Sequence, residues 1–173
     1  AHLGDTAITV PRTKVLLTQL EIPLPVVIDV LTQARRQTSV TVLNPAPATP
    51  LTKELLSLCD IAVPNETESA SLGGTKALLQ SDVTTVITTL GERGAEISNA
   101  TSTTPIAPYK VDAIDTVGAG DAFTGALCAE IARGTDIQRA AQIASVAGAL
   151  ATTVRGAVPS LPTQAAVMSL YAD

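Results

Sequence analysis

The sequence has 173 residues, of which 46% are apolar and only 2% aromatic, and its formal net charge is −5. A chain of this length and apolar content can bury a core of its own, which excludes an intrinsically disordered protein. The negative charge and the scarcity of aromatic side chains argue against nucleic-acid binding, which needs basic patches and stacking platforms.

Short apolar runs alternate with amphipathic segments along the first half of the chain. Strands are predicted at residues 15–20, 40–43 and 61–63. Helices are predicted at residues 26–37, 51–58 and 66–72.

The second half begins with a β-branched strand and ends with helices. A strand at 83–90, a turn at 91–94, a hairpin strand at 95–98 and a weak strand at 106–111 are predicted first. Helices are then predicted at 120–132, from Asp136 to about Thr153, and from Thr163 onward.

This alternation predicts an α/β fold with a mainly parallel sheet between two layers of helices. Residues 1–173 are expected to form a single domain. In such folds, ligands bind beyond the carboxyl ends of the strands. The polar or glycine positions that follow predicted strands are Glu21, Asn44, Asn65, Gly91 and the run from Asp115 to Asp121.

The single histidine, His2, makes several kinds of catalytic site improbable. Ser-His-Asp triads, Cys-His pairs and histidine-ligated zinc sites all depend on histidine. Cys59 and Cys128 lie in apolar stretches without metal-type spacing, so we expect buried thiols in a reducing compartment. The longest apolar window, 140–151, is too short to cross a bilayer. Any acid–base chemistry is therefore expected to fall to carboxylates.

The most informative segment is Asp115-Thr-Val-Gly-Ala-Gly-Asp121, followed by Ala-Phe-Thr-Gly125. Small residues at 118–120 lead into a helix, so backbone N–H groups can approach an anion closely, aided by the helix dipole. A transferring phosphoryl group needs such a cradle. Asp121 lies beside it, where a carboxylate can accept the proton of an attacking hydroxyl. An ordinary N-cap aspartate is the alternative interpretation of Asp121.

Asp115 to Phe123 resembles the C-terminal signature of the PfkB carbohydrate kinase family. Five further segments resemble ribokinases in particular, in matching order and spacing. They are Gln19–Glu21, Leu43–Ala48, Pro64–Glu68, Thr89–Gly94 and Arg155–Ser160. The resemblance implies the Rossmann-like, three-layer α/β/α ribokinase fold.

The resemblance also implies a role for each matching residue. Asp121 would be the catalytic base, Gly118, Ala119 and Gly120 the anion hole, and Glu21 a ribose contact. Asn65 and Glu68 would serve phosphate and Mg²⁺ binding, although helix capping after a proline is the alternative. ATP would be bound by Thr89, Leu90, Gly91, Glu92, Arg93 and Gly94. Ser145 stands where relatives often carry Asn or His near the adenine, so base contacts are expected to be weaker or differently made.

A potassium ion beside the anion hole is a further implication of the resemblance. Asp115 and Ser160 would supply side-chain oxygens, although Ser160 between Pro159 and Pro162 also suits an ordinary turn. The matching carbonyl donors are Val117, Ala151, Val154 and Gly156.

The implied activity is phosphorylation of D-ribose to D-ribose 5-phosphate by a cytoplasmic kinase. Another PfkB member acting on fructose, deoxyribose or a nucleoside, or a non-catalytic nucleotide-binding fragment, is the alternative. We expect the chain to be the C-terminal part of a longer protein, without the family's N-terminal sugar-site and lid region. A full-length form is expected to be a homodimer through that lid.

Overall fold

A computed structural model describes residues 8–171, and the remaining positions, among them His2, lie outside the described residues. The six strands form one sheet in the order in which they occur along the chain. Their bounds are β1 Val15–Thr18, β2 Val40–Leu43, β3 Ile61–Ala62, β4 Thr85–Thr89, β5 Ala95–Ser98 and β6 Thr103–Ile106. Strands β1 to β4 pair in parallel. The sheet is therefore mainly parallel, as predicted.

Eight helices accompany these strands within residues 8–171. They are α1 Leu24–Arg36, α2 Lys53–Ser57, α3 Glu66–Ser71, α4 Gly74–Leu79, α5 Ala119–Arg133, α6 Ile137–Ala151, α7 Ala157–Ser160 and α8 Gln164–Tyr171. A 3-10 turn, Gly91–Arg93, follows β4. No helix in the described part of the chain is both long enough and apolar enough to cross a membrane.

The described residues form two compact units, each with its own apolar cluster. The first unit comprises the residues up to Thr88 together with 97–103, and the second comprises 89–96 together with the residues from Thr104 onward. Val27, Leu31 and Leu43 are fully buried in the first cluster. Ile143 and Val167 pack in the second. The expected single domain over 1–173 stays a prediction.

The core of the first unit explains why its strands are parallel. Both Val42 and Leu43, which point to opposite faces of β2, are completely buried. A strand that is buried on both faces must have helices on both sides, the usual environment of parallel strands. The long apolar stripe of α1, which contains Val27, Val30 and Leu31, provides part of that cover.

The weak strand expected at 106–111 is wrong in its position. Asn99 Oδ1 accepts the N–H groups of Thr101 and Ser102, and Asn99 N–H donates to the Ser102 carbonyl, so the chain turns back directly after β5. The return strand β6 therefore begins at Thr103. Pro108 has no N–H group to extend the ladder, and residues 107–113 form an irregular loop instead.

Helix α4 is a second element that the sequence pattern did not indicate. It follows Gly73 and Gly74, whose φ angles are +87° and +86°. A glycine pair is normally a sign of a loop, but here the pair provides the turn between α3 and a short helix. Leu78 then anchors α4 in the first apolar cluster.

Candidate active site

Helix α5 begins at a tight turn that requires glycine at position 118. Gly118 has a φ of +83°, in the left-handed region, and a Cβ atom there would lie 3.0 Å from the Ala157 Cα. Both the backbone angle and the close contact therefore exclude a larger residue. Ala119 N–H donates to the Thr116 carbonyl at 3.2 Å and tightens the turn. Because α5 starts at Ala119, its first N–H groups lack partners within the helix and form an electropositive end.

The first turn of α5 contributes residues to two different cavities of the second unit. Ala119 and Gly120 line a cavity of about 970 Å³. Asp121, the next residue, is exposed and lines another cavity of about 440 Å³. Two of the three residues that were predicted to form the anion hole therefore border the larger cavity, while the neighbouring carboxylate borders the smaller one. Apart from Asp121, the smaller cavity is lined mostly by apolar residues of α5, α6 and α8, and it does not include Glu21.

The larger cavity gathers most of the residues that were predicted to bind the nucleotide. Those that line it are Thr89, Gly91, Glu92, Arg93, Gly94, Ala119, Gly120 and Ser145. Leu90 is not among the lining residues, and its N–H donates to the Gly94 carbonyl at 2.8 Å to close the turn. Gly118 is also absent from the lining and lies against Ala157.

Sequence reasoning missed one wall of this cavity. Residues Pro108 to Ala113, in the loop after β6, form it together with Thr116, and Phe123, Gly148, Ala149 and Thr152 complete the lining. A Cβ atom at Gly94, where φ is +88°, would overlap the Ile106 carbonyl oxygen. Gly94 was the one sequence feature that could have indicated this wall. A glycine there lets β6, which leads into the loop, pass close to the backbone at position 94.

Ser145 anchors the same loop as well as lining the cavity. Its hydroxyl donates to the Ala107 carbonyl at 3.2 Å. Since this bond uses the hydroxyl proton, Ser145 can meet a ligand only through its oxygen lone pairs unless the bond breaks.

Asp115 joins the turn before α5 to the turn before α7. One carboxylate oxygen accepts Val117 N–H at 3.1 Å, and the other accepts Gly156 N–H at 2.9 Å. The hydrogen bond from Gly156, followed by that from Val117, lowers the pKa of Asp115, because both donors stabilise the charged form. Asp115 is therefore ionised at neutral pH.

The other positions expected to bind potassium lie in or beside these two turns. Ser160, at the end of α7, is buried, and its hydroxyl donates to the Ala157 carbonyl at 2.9 Å. Ala151 ends α6, and Val154 follows it with an exposed side chain. An anionic carboxylate, a hydroxyl and several carbonyls form a donor set that suits a hard cation.

The remaining predicted residues belong to the first unit. Asn65 and Glu68 form a capping box at the start of α3, in which Asn65 Oδ1 accepts Glu68 N–H and Glu68 Oε2 accepts Asn65 N–H, both at 2.8 Å. The capping interpretation is thus confirmed. The second carboxylate oxygen of Glu68 has no protein partner among the described residues, so the cap leaves it available to a ligand. Glu21 is exposed just beyond the carboxyl end of β1.

Known proteins share both the sequence and the fold of this chain. Residues 8–164 match the pfkB family carbohydrate kinases. A ribokinase of Staphylococcus aureus is 39% identical in an alignment 157 residues long that covers 83% of this chain and 52% of the relative. The chain therefore spans about half the length of this curated relative.

Two solved structures are similar to the described fold. A ribokinase of Thermotoga maritima superposes with a TM-score of 0.84 at 29% identity, covering 92% of this chain and 57% of that one. An Arabidopsis thaliana ribokinase complexed with ribose and ATP has a TM-score of 0.83 at 28% identity, covering 91% and 55%. By the extent of the family match and these likenesses, the chain belongs to the pfkB family of carbohydrate kinases.

Proposed function

We propose that the whole protein transfers the γ-phosphoryl group of ATP to D-ribose and forms D-ribose 5-phosphate. The observation that carries this proposal is the position of Asp121, an exposed carboxylate directly after Ala119 and Gly120, which line the larger cavity. The ribokinase relatives support ribose as the acceptor, and one of them was solved with ribose and ATP.

Asp121 acts as the general base in this proposal. The sugar oxygen bonds to the γ-phosphorus while the bond from that phosphorus to the bridging oxygen of ADP breaks. The hydroxyl proton passes to the Asp121 carboxylate. The exposed position of Asp121 in the first turn of α5 supports this role, because the carboxylate lies within reach of a hydroxyl that approaches the predicted anion hole.

In this proposal the backbone N–H groups of residues 118–120 stabilise the negative charge on the transferring phosphoryl group. The Ala119 N–H exchanges its 3.2 Å bond to the Thr116 carbonyl for the phosphoryl oxygen. The turn from Thr89 to Gly94 and the loop 107–113, which Ser145 anchors, hold the nucleotide in the larger cavity. Its volume, about 970 Å³, is ample for a nucleotide. Glu21 contacts the sugar hydroxyls.

Asn65 and Glu68 would hold Mg²⁺ or its water ligands, and their chemistry fits this role. The capping box fixes both side chains at the end of β3 and leaves one Glu68 oxygen available. Magnesium supplies charge neutralisation at the phosphates, and it prefers a site with few carboxylates and several waters.

Asp115, Ser160 and the carbonyls of Val117, Ala151, Val154 and Gly156 would hold K⁺. The lowered pKa of Asp115 keeps its charge, and one carboxylate among neutral oxygens suits a monovalent ion. We also propose that the whole protein is a homodimer in the cytoplasm.

The test is a coupled ADP-release assay on the whole protein with ribose, 2-deoxyribose, fructose and adenosine as acceptors. Ribose should give the highest kcat/KM. Asp121→Asn should lower kcat by roughly 10²–10⁴ and leave the ATP affinity, measured by calorimetry, within about twofold. A near-normal kcat in Asp121→Asn would remove Asp121 from the mechanism. ATP binding without turnover on any acceptor would favour a non-catalytic nucleotide-binding protein.

A further inference from the structure

Gly148 lies where helix α6 approaches the first turn of α5 most closely. It is a buried residue inside α6. A Cβ atom at this position would lie 3.2 Å from the Ala119 carbonyl oxygen and 3.4 Å from the Phe123 Cβ. Every near neighbour of that added atom belongs to α5, so the atom would meet α5 first.

Glycine in a helix interior needs a reason, because it lowers helix stability relative to alanine. The surrounding part of α6 is rich in alanine, with Ala144, Ala147, Ala149 and Ala151. Alanine would therefore be the expected residue at 148 if only local structure mattered. The close backbone of Ala119 supplies the reason for glycine.

Contacts other than the one with Gly148 also hold residues 118–120, the predicted anion cradle, in place. Ala157 packs against Gly118, which has no room for a side chain on that side. The buried Thr124 hydroxyl donates to the Gly120 carbonyl at 2.9 Å. Residues 118, 119 and 120 are thus each held by a different neighbour, and Gly148 is the neighbour on α6 that lies against Ala119.

We propose that Gly148 is a positioning residue that sets the place of the anion cradle and of Asp121 by allowing the Ala119 backbone to rest directly against α6. The inference rests on the proposed kinase function for its kinetic readout. A methyl group at 148 contacts a backbone oxygen, which cannot rotate away as a flexible side chain would. The first turn of α5 must therefore shift by a few tenths of an ångström.

Gly148→Ala in the whole protein should lower kcat by about tenfold, because misplacement by 1 Å can cost about a hundredfold in rate. Gly148 also lines the larger cavity, but the affinity for adenosine, which has no phosphate to meet residues 118–120, should fall less than the affinity for ATP. ATP should bind severalfold more weakly. The melting temperature should fall by no more than a few degrees, because the helix preference of alanine offsets part of the cost of the close contact. This combination differs from a merely structural defect, which lowers stability and all ligand affinities together.

Three outcomes would overturn the proposal. One is an unchanged kcat in Gly148→Ala, and a second is an equal loss of affinity for adenosine and ATP, which would mean that the methyl group obstructs the cavity. The third is a wild-type protein that binds ATP no more tightly than adenosine. If the wild type prefers ATP but phosphorylates no sugar, the kinase proposal fails while the two affinities still test Gly148.

Ala157→Gly provides an independent variant if Gly148→Ala does not fold. It removes the methyl group that packs on Gly118 and leaves α6 untouched. For Ala157→Gly we expect a smaller loss of kcat, about threefold. Its affinity for adenosine should be unchanged. Normal kinetics in a folded Ala157→Gly would contradict the idea that packing around the cradle sets its position.

Discussion

Asp115 accepts a hydrogen bond of 2.9 Å from the backbone N–H of Gly156, which lies 41 residues further along the chain. The same carboxylate also accepts Val117 N–H at 3.1 Å. One side chain therefore fixes both the turn that leads into the anion cradle and the turn that begins α7. Removal of its charge should affect folding and catalysis through separate, measurable effects.

The stability contributed by Asp115 should depend on pH. Its pKa in the folded state is lowered by the Gly156 and Val117 N–H groups. A group with a lowered folded pKa contributes stability above its unfolded pKa, about 3.9, and that contribution is lost as the pH falls through the folded value. Thermal unfolding of wild type and Asp115→Asn should therefore differ at pH 7 and converge below about pH 4. Asp112→Asn removes a carboxylate from the neighbouring loop and is the control variant for the same pH series. A difference that stays constant down to pH 3 would exclude this linkage.

Potassium should activate the enzyme mainly through kcat. An ion held by the Asp115 and Gly156 turns would not touch the sugar, but it would stiffen the backbone at 117–120 that faces the phosphates. Rates in potassium chloride should exceed those in sodium chloride severalfold, with calorimetric ribose affinity unchanged. Asp115→Ala should remove most of this response. Equal rates in potassium, sodium and a bulky organic cation at constant ionic strength would show that these turns are structural only.

Gly118 and Gly120 should respond differently to the same alanine substitution. Gly118→Ala forces a side chain onto a φ of +83° and against Ala157, and should destabilise the fold by about 1–3 kcal/mol. Gly120 has no atom within 4 Å of its added Cβ, so Gly120→Ala should leave stability unchanged or slightly higher. Its methyl group would nevertheless crowd the phosphate. Urea unfolding of both variants measures their stability, and ATP titration measures phosphate binding. Equal losses of stability in Gly118→Ala and Gly120→Ala would contradict this prediction.

The two cysteines should be unreactive in the folded protein. Burial raises the pKa of the Cys59 and Cys128 thiols to about 12. Since the thiolate is the reactive form, only about one thiol in 10⁴ is ionised at pH 8. Iodoacetamide should modify neither cysteine within minutes in native buffer and both in denaturant, as counted by intact mass. Rapid modification of Cys128 in native buffer would contradict this prediction and would indicate that α5 unfolds locally.

The parallel strands and the start of α5 could be predicted because their signals are local. Each apolar run is closed by a polar residue or proline, and small residues at 118–120 mark a turn before a helix. The loop 107–113 was missed because its course depends on the Asn99 turn and on the contact between Gly94 and Ile106. Neither interaction leaves a periodic pattern.

The same distinction applies within the candidate site. The resemblance named Asp115, but its bond to Gly156 connects distant parts of the chain and becomes visible only after folding. Ser145 was expected near the adenine, and its hydrogen bond to Ala107 depends on a loop whose path was unknown. The role of Gly148 could not be predicted from the sequence. A glycine among alanines indicates a close contact only once its neighbour on α5 is known.

The capping box of Asn65 and Glu68 affects how the evolution of such proteins can be traced. Because each of these side chains caps a backbone N–H of the other residue, selection for a stable α3 would preserve both even in a lineage that had lost phosphoryl transfer. The start of α5 does not depend on Asp121 in this way, because the N-cap residue of that helix is Gly118. In a search for inactive descendants, replacement of Asp121 would therefore be the informative change, while an intact Asn65 and Glu68 would report only on a preserved fold.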